Sequence, residues 1–328
     1  MPIIEVDNLR KEFKVYQHRK GFWGAIRNLA SSQYSLIKAV DGISFGVDEG
    51  QMIGYVGPNG AGKSTTIKML TGILVPTSGK INVAGLTPHK NRKENARRIG
   101  VVFGQRTQLW WDLPVIESFQ LLRRIYRVSG ENYSRNLDMF HDLLNIGDFI
   151  NTPVRKLSLG QRMRCDLAAA LLHDPPILYL DEPTIGLDVV AKQRIRTFLN
   201  NINQERKITI VLTTHDLADV EKLCRRMMII DHGKIIYDGT VDEIKRRYGK
   251  NRRLVVDFAR NYKHIHIPGS EIIRRNGHRI WLQFNRDHYS ASQLISQIAE
   301  KYDIIDLTLE EPEIETIVAG IYEGKMEE

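Results

Sequence analysis

The stretch Gly57-Pro58-Asn59-Gly60-Ala61-Gly62-Lys63-Ser64-Thr65 constrains this chain more than any other, because it fits the pattern G-x-x-x-x-G-K-[ST]. It follows the apolar run Met52 to Val56 and precedes a helical pattern over Thr66 to Leu70. That is the strand, glycine loop and helix order of a phosphate-binding P-loop. The glycines let the backbone bend tightly, so that successive N–H groups and the positive helix end converge on one anion. Lys63 is expected to reach the β- and γ-phosphates of a nucleotide, and the Ser64 hydroxyl to bind Mg²⁺. The plainer alternative is a glycine turn that happens to precede a helix.

The rest of the chain has room for a large core. Its 328 residues suit one large domain and a smaller one. Hydrophobic residues at 42% and charged residues at 26% are ordinary for a folded protein and argue against global disorder. A net charge of +8 is compatible with nucleic acid, an anionic membrane surface or a nucleotide phosphate site. Only Cys165 and Cys224 are present, so no disulfide framework is expected and a reducing compartment is. The start, Met1-Pro2-Ile3-Ile4-Glu5, lacks the basic and apolar regions of a signal peptide. No apolar run approaches the roughly 18 residues of a membrane-spanning helix, so a membrane role would need a span from another chain.

Short strands are predicted at Ile3 to Val6, Lys14 to Tyr16 and Ala39 to Val47, ahead of the P-loop strand. Between them, Phe13 through Val40 contains no Asp or Glu, and Phe22, Trp23, Ile26 and Leu29 recur at helical spacing among basic residues. This insertion reads either as an amphipathic helix touching lipid headgroups or a membrane subunit, or as a hairpin packed on its own domain. Ser78 to Gly85 reads as a turn and strand, and Arg98 to Phe103 as a buried strand ending at Gly104-Gln105. Leu113 to Asn145, broken near Ser129-Gly130, and Lys156 to His173, capped at Ser158, form a helical region. Apolar runs at Ile177 to Leu180, Ile208 to Leu212 and Met227 to Ile230 alternate with helices at Val189 to Arg206 and Ala218 to Cys224. Such alternation indicates a largely parallel sheet covered on both faces. Basic clusters at Lys245-Arg246-Arg247 and Lys250 to Arg253 suggest a domain junction. Beyond it, Leu254 to Phe258, a hairpin over Glu271 to Phe284 turned at Asn276-Gly277, and elements at Ala291 to Tyr302, Ile304 to Leu309 and Ile314 to Tyr322 read as a small α+β domain.

Chemistry gathers at strand ends. Ile177 to Leu180 is followed by Asp181-Glu182, and ligands of open α/β sheets collect at the carboxyl ends of strands. Asp181 can share Mg²⁺ with Ser64, leaving Glu182 to polarise an attacking water. His215, after Thr213-Thr214, can bond γ-phosphate oxygens, and the amide of Gln105 can ligate Mg²⁺ or orient water. Leu157-Ser158-Leu159-Gly160-Gln161 is a serine-capped helix start and therefore a second anion site. One nucleotide does not easily use both sites of one chain, whereas two chains facing head to tail would.

Taken in order, Gly57 to Thr65, Gln105, Leu157 to Gln161, Asp181-Glu182, Gly186-Leu187-Asp188 and His215 resemble the nucleotide-binding subunit of ABC transporters over roughly residues 3 to 245. The resemblance implies that Leu157 to Gln161 is the signature motif, contacting ATP held by a partner subunit. Leu159 stands where the family usually has glycine. Asp188 matches the loop linking the two sites, and Phe13, with Tyr16 as alternative, the aromatic that stacks on adenine. The single nucleotide domain with a short tail looks like the ABC-2 type exporter branch. In the family the helical subdomain contacts the membrane subunit. Thr107 to Pro114, with Trp110 and Trp111, is the expected place, unless those tryptophans fill the subdomain core.

The resulting expectation is an α/β fold: a P-loop NTPase core with a mainly parallel sheet, an N-terminal antiparallel β subdomain, an inserted helical subdomain at about 107–173, and a small C-terminal α+β domain, divided 1–248 and 249–328. ATP and Mg²⁺ are the expected cofactors. The expected partners are a second ATPase subunit, identical or different, and a separate transmembrane permease, with peripheral attachment to the cytoplasmic face of the cell membrane and no nucleic acid. The rival readings are a soluble ATPase of this type acting on ribosomes or DNA, and a sensor that binds ATP without hydrolysing it.

Overall fold

The computed structural model describes residues 2–16, 34–104 and 106–323. The chain divides into two compact units, Met1–Asp238 and Gly239–Glu328. The stripe Phe22, Trp23, Ile26 and Leu29 falls in 17–33, outside the described residues.

In the first unit, β1 (Pro2–Tyr16) pairs antiparallel with β2 (Tyr34–Asp48) on one edge and with β4 (Ser78–Val83) on the other. The sequence predicted two short strands where the structure has one long β1. Pairing survives the polar Asp7-Asn8 stretch because the register shifts between Val6 and Leu9, with Asn8 at φ 44, a conformation asparagine tolerates. The Asn8 amide is satisfied by the Ser44 hydroxyl at 2.8 Å.

The second sheet runs β5-β6-β7-β3-β8-β9. Its members are β3 (Met52–Val56), β5 (Ile99–Phe103), β6 (Ile177–Asp181), β7 (Thr209–Thr214), β8 (Arg226–Asp231) and β9 (Lys234–Thr240), and β5 through β8 pair in parallel. β3 and β7 are buried at every position, which is why they read as continuous apolar runs rather than alternating ones. β9 was not foreseen. It returns from β8 through His232-Gly233, both at positive φ (44 and 76), the two-residue connection that matches strand twist. Ile53, Tyr55, Ile67, Met69, Tyr179 and Met228 form the core where β3, β6 and β8 meet helix α1 (Lys63–Leu70). Each such side chain contributes about 1.5 to 3 kcal/mol on burial.

A short α2 (Arg92–Arg98) precedes β5. α3 (Val115–Tyr126) and α4 (Gly130–Leu144) follow it. They separate where Arg127 turns to φ 58 and the Ser129 hydroxyl caps α4 by accepting from Asn132 N at 3.2 Å. α5 (Leu159–Leu171) returns the chain to β6, α6 (Val189–Arg206) follows β6, and α7 (Leu217–Leu223) follows β7.

In the second unit, α8 (Val241–Tyr248) carries Lys245, Arg246 and Arg247 in its last turn, where cations favour the helix dipole. Of the two basic clusters, Lys245-Arg246-Arg247 ends this helix and Arg252-Arg253 lie on the strand that follows; the second compact unit begins at Gly239, whereas the expected boundary lay after residue 248. A four-stranded antiparallel sheet, β11 (Glu271–Asn276), β12 (Arg279–Asn285), β10 (Asn251–Phe258) and β13 (Ile304–Glu310), carries α9 (Ala291–Lys301), and α10 (Ile314–Tyr322) ends the described chain. Asn276 pairs with Arg279, so the turn residues are Gly277-His278 rather than Asn276-Gly277. Gly277, at φ 62, takes the position of that turn that needs a positive φ. Leu254, Val256, Phe258, Ile280, Leu282 and Phe284 alternate inward to meet Leu294 and Ile298. No helix among the described residues is long and apolar enough to cross a membrane.

Candidate functional site

Parallel pairing aligns the carboxyl ends of four strands on one edge. Val56 lies opposite Thr214, and Asp181 lies between Phe103 and Thr213. The loops that follow β3, β5, β6 and β7 therefore open onto one cleft of about 570 Å³, lined by Asn59, Gly60, Gly62, Lys63, Ser64, Thr65, Asp181, Glu182 and His215.

The loop between β3 and α1 turns at Gly60 (φ 87) and Gly62 (φ 110). A side chain at Gly62 would run into the Ala39 carbonyl, and one at Gly57 into the Ile230 carbonyl. Glycine is thus required at these two positions by close backbone approach. Ala61 is buried and its carbonyl accepts from Gly233 N at 3.0 Å, which ties the loop to the β8–β9 turn. Pro58 closes the loop by accepting from Ala61 N at 3.2 Å.

Lys63 is 6% exposed. Its Nζ donates to the carbonyls of Gly57 at 2.5 Å and Pro58 at 3.1 Å and lies 3.9 Å from Glu182 Oε1. Burial lowers its pKa, while Glu182 and Asp181 hold it up. Asp181 sits between two hydroxyls, accepting on Oδ1 from Ser64 Oγ at 3.2 Å and from Thr213 Oγ1 at 2.5 Å. Glu182, at φ 56, leaves the strand direction, so its carboxylate diverges from that of Asp181. Its Oε2 lies 2.7 Å from His215 Nδ1, and its main chain stays fixed through Glu182 N donating to Thr213 O at 2.9 Å. Thr213 was missed as a site residue, because a threonine inside a β-rich run carries no signal of the carboxylate it will meet.

Gln105 lies outside the described residues. Its neighbour Gly104 donates to Asp181 O at 2.7 Å, which places the end of β5 against the carboxylate strand. Phe13 lies on β1, 38% exposed beneath Lys11, and is not among the residues lining the cleft. Tyr16 ends β1 opposite Tyr34. Trp110 and Trp111 are 39% and 50% exposed, so they do not fill the subdomain core.

Leu157 is buried at the entry to α5. Ser158 caps the helix, its hydroxyl accepting from Gln161 N at 3.2 Å while Gln161 Oε1 accepts from Ser158 N at 2.9 Å. Leu159 packs beside Gly186, and Gly160 faces Ala191 closely enough that an added methyl would sit 3.2 Å from its side chain. Asp188 caps α6 by accepting from Ala191 N at 2.8 Å. None of 157–161, nor Asp188, lines the cleft.

A glycine cradle, an amine at its floor, a hydroxyl on an acidic strand end and a second carboxylate paired with histidine define the site of a P-loop nucleoside triphosphatase. A family model of ABC transporters matches residues 40–185, and one for the C-terminal domain of DrrA1-3-like ATP-binding proteins matches 239–317. The chain is 33% identical over 209 residues to the ABC transporter ATP-binding protein NatA of Bacillus subtilis, covering 64% of this chain and 85% of that one. It is 35% identical over 220 residues to the bacitracin transport ATP-binding protein BcrA of Bacillus licheniformis, covering 67% and 71%. Among solved structures, an ATP-binding subunit of an ABC transporter superposes with TM-score 0.62 at 27% identity over 75% of this chain and 93% of that one. A dimeric ATP-binding cassette in a post-hydrolysis state with ADP and Pi gives 0.60 at 26% identity over 73% and 98%. The chain belongs to the ABC transporter family as an ATP-binding, ATP-hydrolysing subunit.

Proposed function

We propose that two copies of this subunit, or one copy and a related subunit, close head to tail around two ATP molecules and drive a separate membrane permease in the direction of export. The carrying observation is that the P-loop cleft and the Ser158 helix start belong to one chain, yet the signature residues do not line that chain's cleft. A second chain would bring its own Leu157 to Gln161 to the open side of the phosphates, with Asp188 in the loop between sites. The names of NatA and BcrA support the transport reading, and the Nod factor export ATP-binding protein I of Ralstonia nicotianae, 34% identical over 243 residues, supports the export direction. On this reading 1–238 is the ATP-binding domain and the second unit an accessory domain, with the protein held peripherally at the cytoplasmic face of the membrane by its permease. Trp110 and Trp111 present exposed aromatic surface suited to that contact.

In the proposed reaction the backbone N–H groups of Gly57 to Thr65 and the Lys63 ammonium hold the β- and γ-phosphates. Ser64, Asp181 and Gln105 would hold Mg²⁺. The Ser64 hydroxyl and Asp181 carboxylate, 3.2 Å apart, form a hard oxygen donor set that suits this ion. Mg²⁺ supplies charge neutralisation on the phosphate oxygens. Glu182 accepts a proton from water as the water oxygen bonds to Pγ, and the bond from Pγ to the bridging oxygen breaks, leaving its electron pair on ADP. His215 fixes the Glu182 carboxylate through the 2.7 Å contact and faces the γ-phosphate. Phe13 is the proposed adenine contact.

The test is Glu182→Gln, which keeps shape and the histidine contact but removes the base. Phosphate release should fall about 10²- to 10⁴-fold, while dimers accumulate with Mg-ATP in size-exclusion chromatography. Undiminished turnover refutes the base assignment. Monomers at saturating Mg-ATP, alone and with the permease, refute the shared site.

A further inference from the structure

Asp166 is a buried carboxylate that the reaction above does not use. It lies on α5 eight residues beyond the Ser158 cap (166 − 158), about 12 Å along the helix, and is 5% exposed. Its side chain and its carbonyl both bond to one loop. Oδ1 accepts from Thr107 Oγ1 at 2.8 Å and from Gln108 N at 3.1 Å, and the Asp166 carbonyl accepts from Gln108 Nε2 at 3.0 Å. The Thr107 hydroxyl in turn accepts from Leu109 N at 3.1 Å.

The other end of the same loop is fastened to the cleft. Gly104 N donates to Asp181 O at 2.7 Å, and Arg106 N donates to Phe103 O at 2.8 Å. Gly104 is therefore tied to the carboxylate strand of the phosphate site, and Thr107 and Gln108 to the middle of the helix that the signature opens. A cavity of about 110 Å³ is bordered by Phe103, Arg106, Thr107, Gln108 and Asp166. No Lys or Arg among the described residues forms an ion pair with Asp166, and burial pushes its carboxyl up to about 6. Arg162, one turn back on the same helix, and the loop's own donors partly offset that cost. An unpaired buried carboxylate is an expensive way to hold a loop.

We propose that Asp166 is a positioning residue that locks the loop beside position 105 to α5, so that the cleft edge and the signature helix move as one piece. The inference rests on the proposed roles of Gln105 and of Leu157 to Gln161. Without the lock, the P-loop still binds nucleotide, but a change at the phosphate edge no longer carries α5 with it.

The experiment uses the purified full-length chain, with ATP affinity by equilibrium titration, turnover by phosphate release and exchange of the Gln108 amide by mass spectrometry. Asp166→Ala should lower kcat about tenfold with the ATP Kd within about twofold of wild type, and should speed exchange at Gln108. Asp166→Asn, whose amide oxygen can accept the same two bonds, should restore kcat to within about threefold and restore protection. In a double-mutant cycle, Thr107→Val should add little to Asp166→Ala. Wild-type kcat in Asp166→Ala, even with a lowered melting temperature, overturns the proposal, as does Asp166→Asn failing like alanine. If Asp166→Ala does not fold, Thr107→Val decides: a lower kcat at unchanged Kd supports the lock, and wild-type kcat overturns it. Lys63→Ala separates the two layers. If it hydrolyses ATP, the site reading fails; if it is inactive while Asp166→Ala is unaffected, only this inference fails.

Discussion

Replacing Arg196 with leucine strands a carboxylate in the interior. Asp219 on α7 is 0% exposed, and its partners are the Arg196 guanidinium, 11% exposed on α6, and the buried Thr184 hydroxyl. Arg196 Nε donates to Oδ1 at 2.6 Å, its Nη2 contacts the same oxygen, and Thr184 Oγ1 donates to Oδ2. Leucine fills most of the volume and supplies no donor. Breaking a buried pair by removing one partner costs about 3 to 5 kcal/mol. The small exposure of Arg196 admits some water, so the lower end, about 3 kcal/mol, is expected. For a unit of this size that is a fall of about 6 to 12 °C in the melting temperature, read by circular dichroism of the full-length chain at fixed neutral pH. The double variant Arg196→Leu/Asp219→Leu removes both charges and should regain most of the loss. A single variant that melts within about 3 °C of wild type, or a double variant no better than the single, refutes the claim that the cost is an unpaired buried charge.

Three further outcomes follow from the geometry. Gly62→Ala forces a side chain onto φ 110 and into the Ala39 carbonyl, so ATP affinity in equilibrium titration should fall by about tenfold or more, the equivalent of 1.4 kcal/mol of backbone strain. His173, stacked 4.0 Å from Tyr126 with Nε2 3.1 Å from the Ile99 carbonyl, is lowered by burial from 6.5 to about 4. A depressed pKa contributes stability above the unfolded value that is lost as pH falls toward the folded one, here about 3 kcal/mol. His173→Phe keeps the stack without titrating, so its acid-side loss in thermal melts should be smaller. Asp166 has the opposite sign: raised from 3.8 to about 6, its ionised form costs up to about 3 kcal/mol above that pH. Asp166→Asn should therefore melt higher than wild type at neutral pH, with the gain shrinking as pH falls below about 6.

What the sequence disclosed and what it withheld divide along the distance between interacting residues. The P-loop, the carboxylates Asp181 and Glu182 and the serine cap at Ser158 are set by a few neighbouring positions whose residue types the chemistry dictates, so they can be read from spacing alone. The parallel sheet was legible for the same reason, since burial on both faces writes itself as an apolar run. Buried polar partners drawn from distant parts of the chain were not legible. Thr213 meets Asp181 across 32 positions, Thr184 meets Asp219 across 35, and Thr107 meets Asp166 across 59. Threonine, arginine and aspartate are residues that ordinarily lie at the surface, and no local pattern marks the ones that fold inward. β1 shows the converse error, since short strands at Ile3 to Val6 and Lys14 to Tyr16 were predicted where pairing with β2 and β4 carries one strand across the gap through a bulge. Of these three contacts, in each of which a carboxylate accepts from a threonine hydroxyl, the one between Thr213 and Asp181 reaches the cleft. Thr213→Val removes the 2.5 Å donor to Asp181 while leaving the P-loop residues unchanged, so phosphate release should slow, and unchanged turnover would show that the Ser64 hydroxyl alone is enough to position that carboxylate.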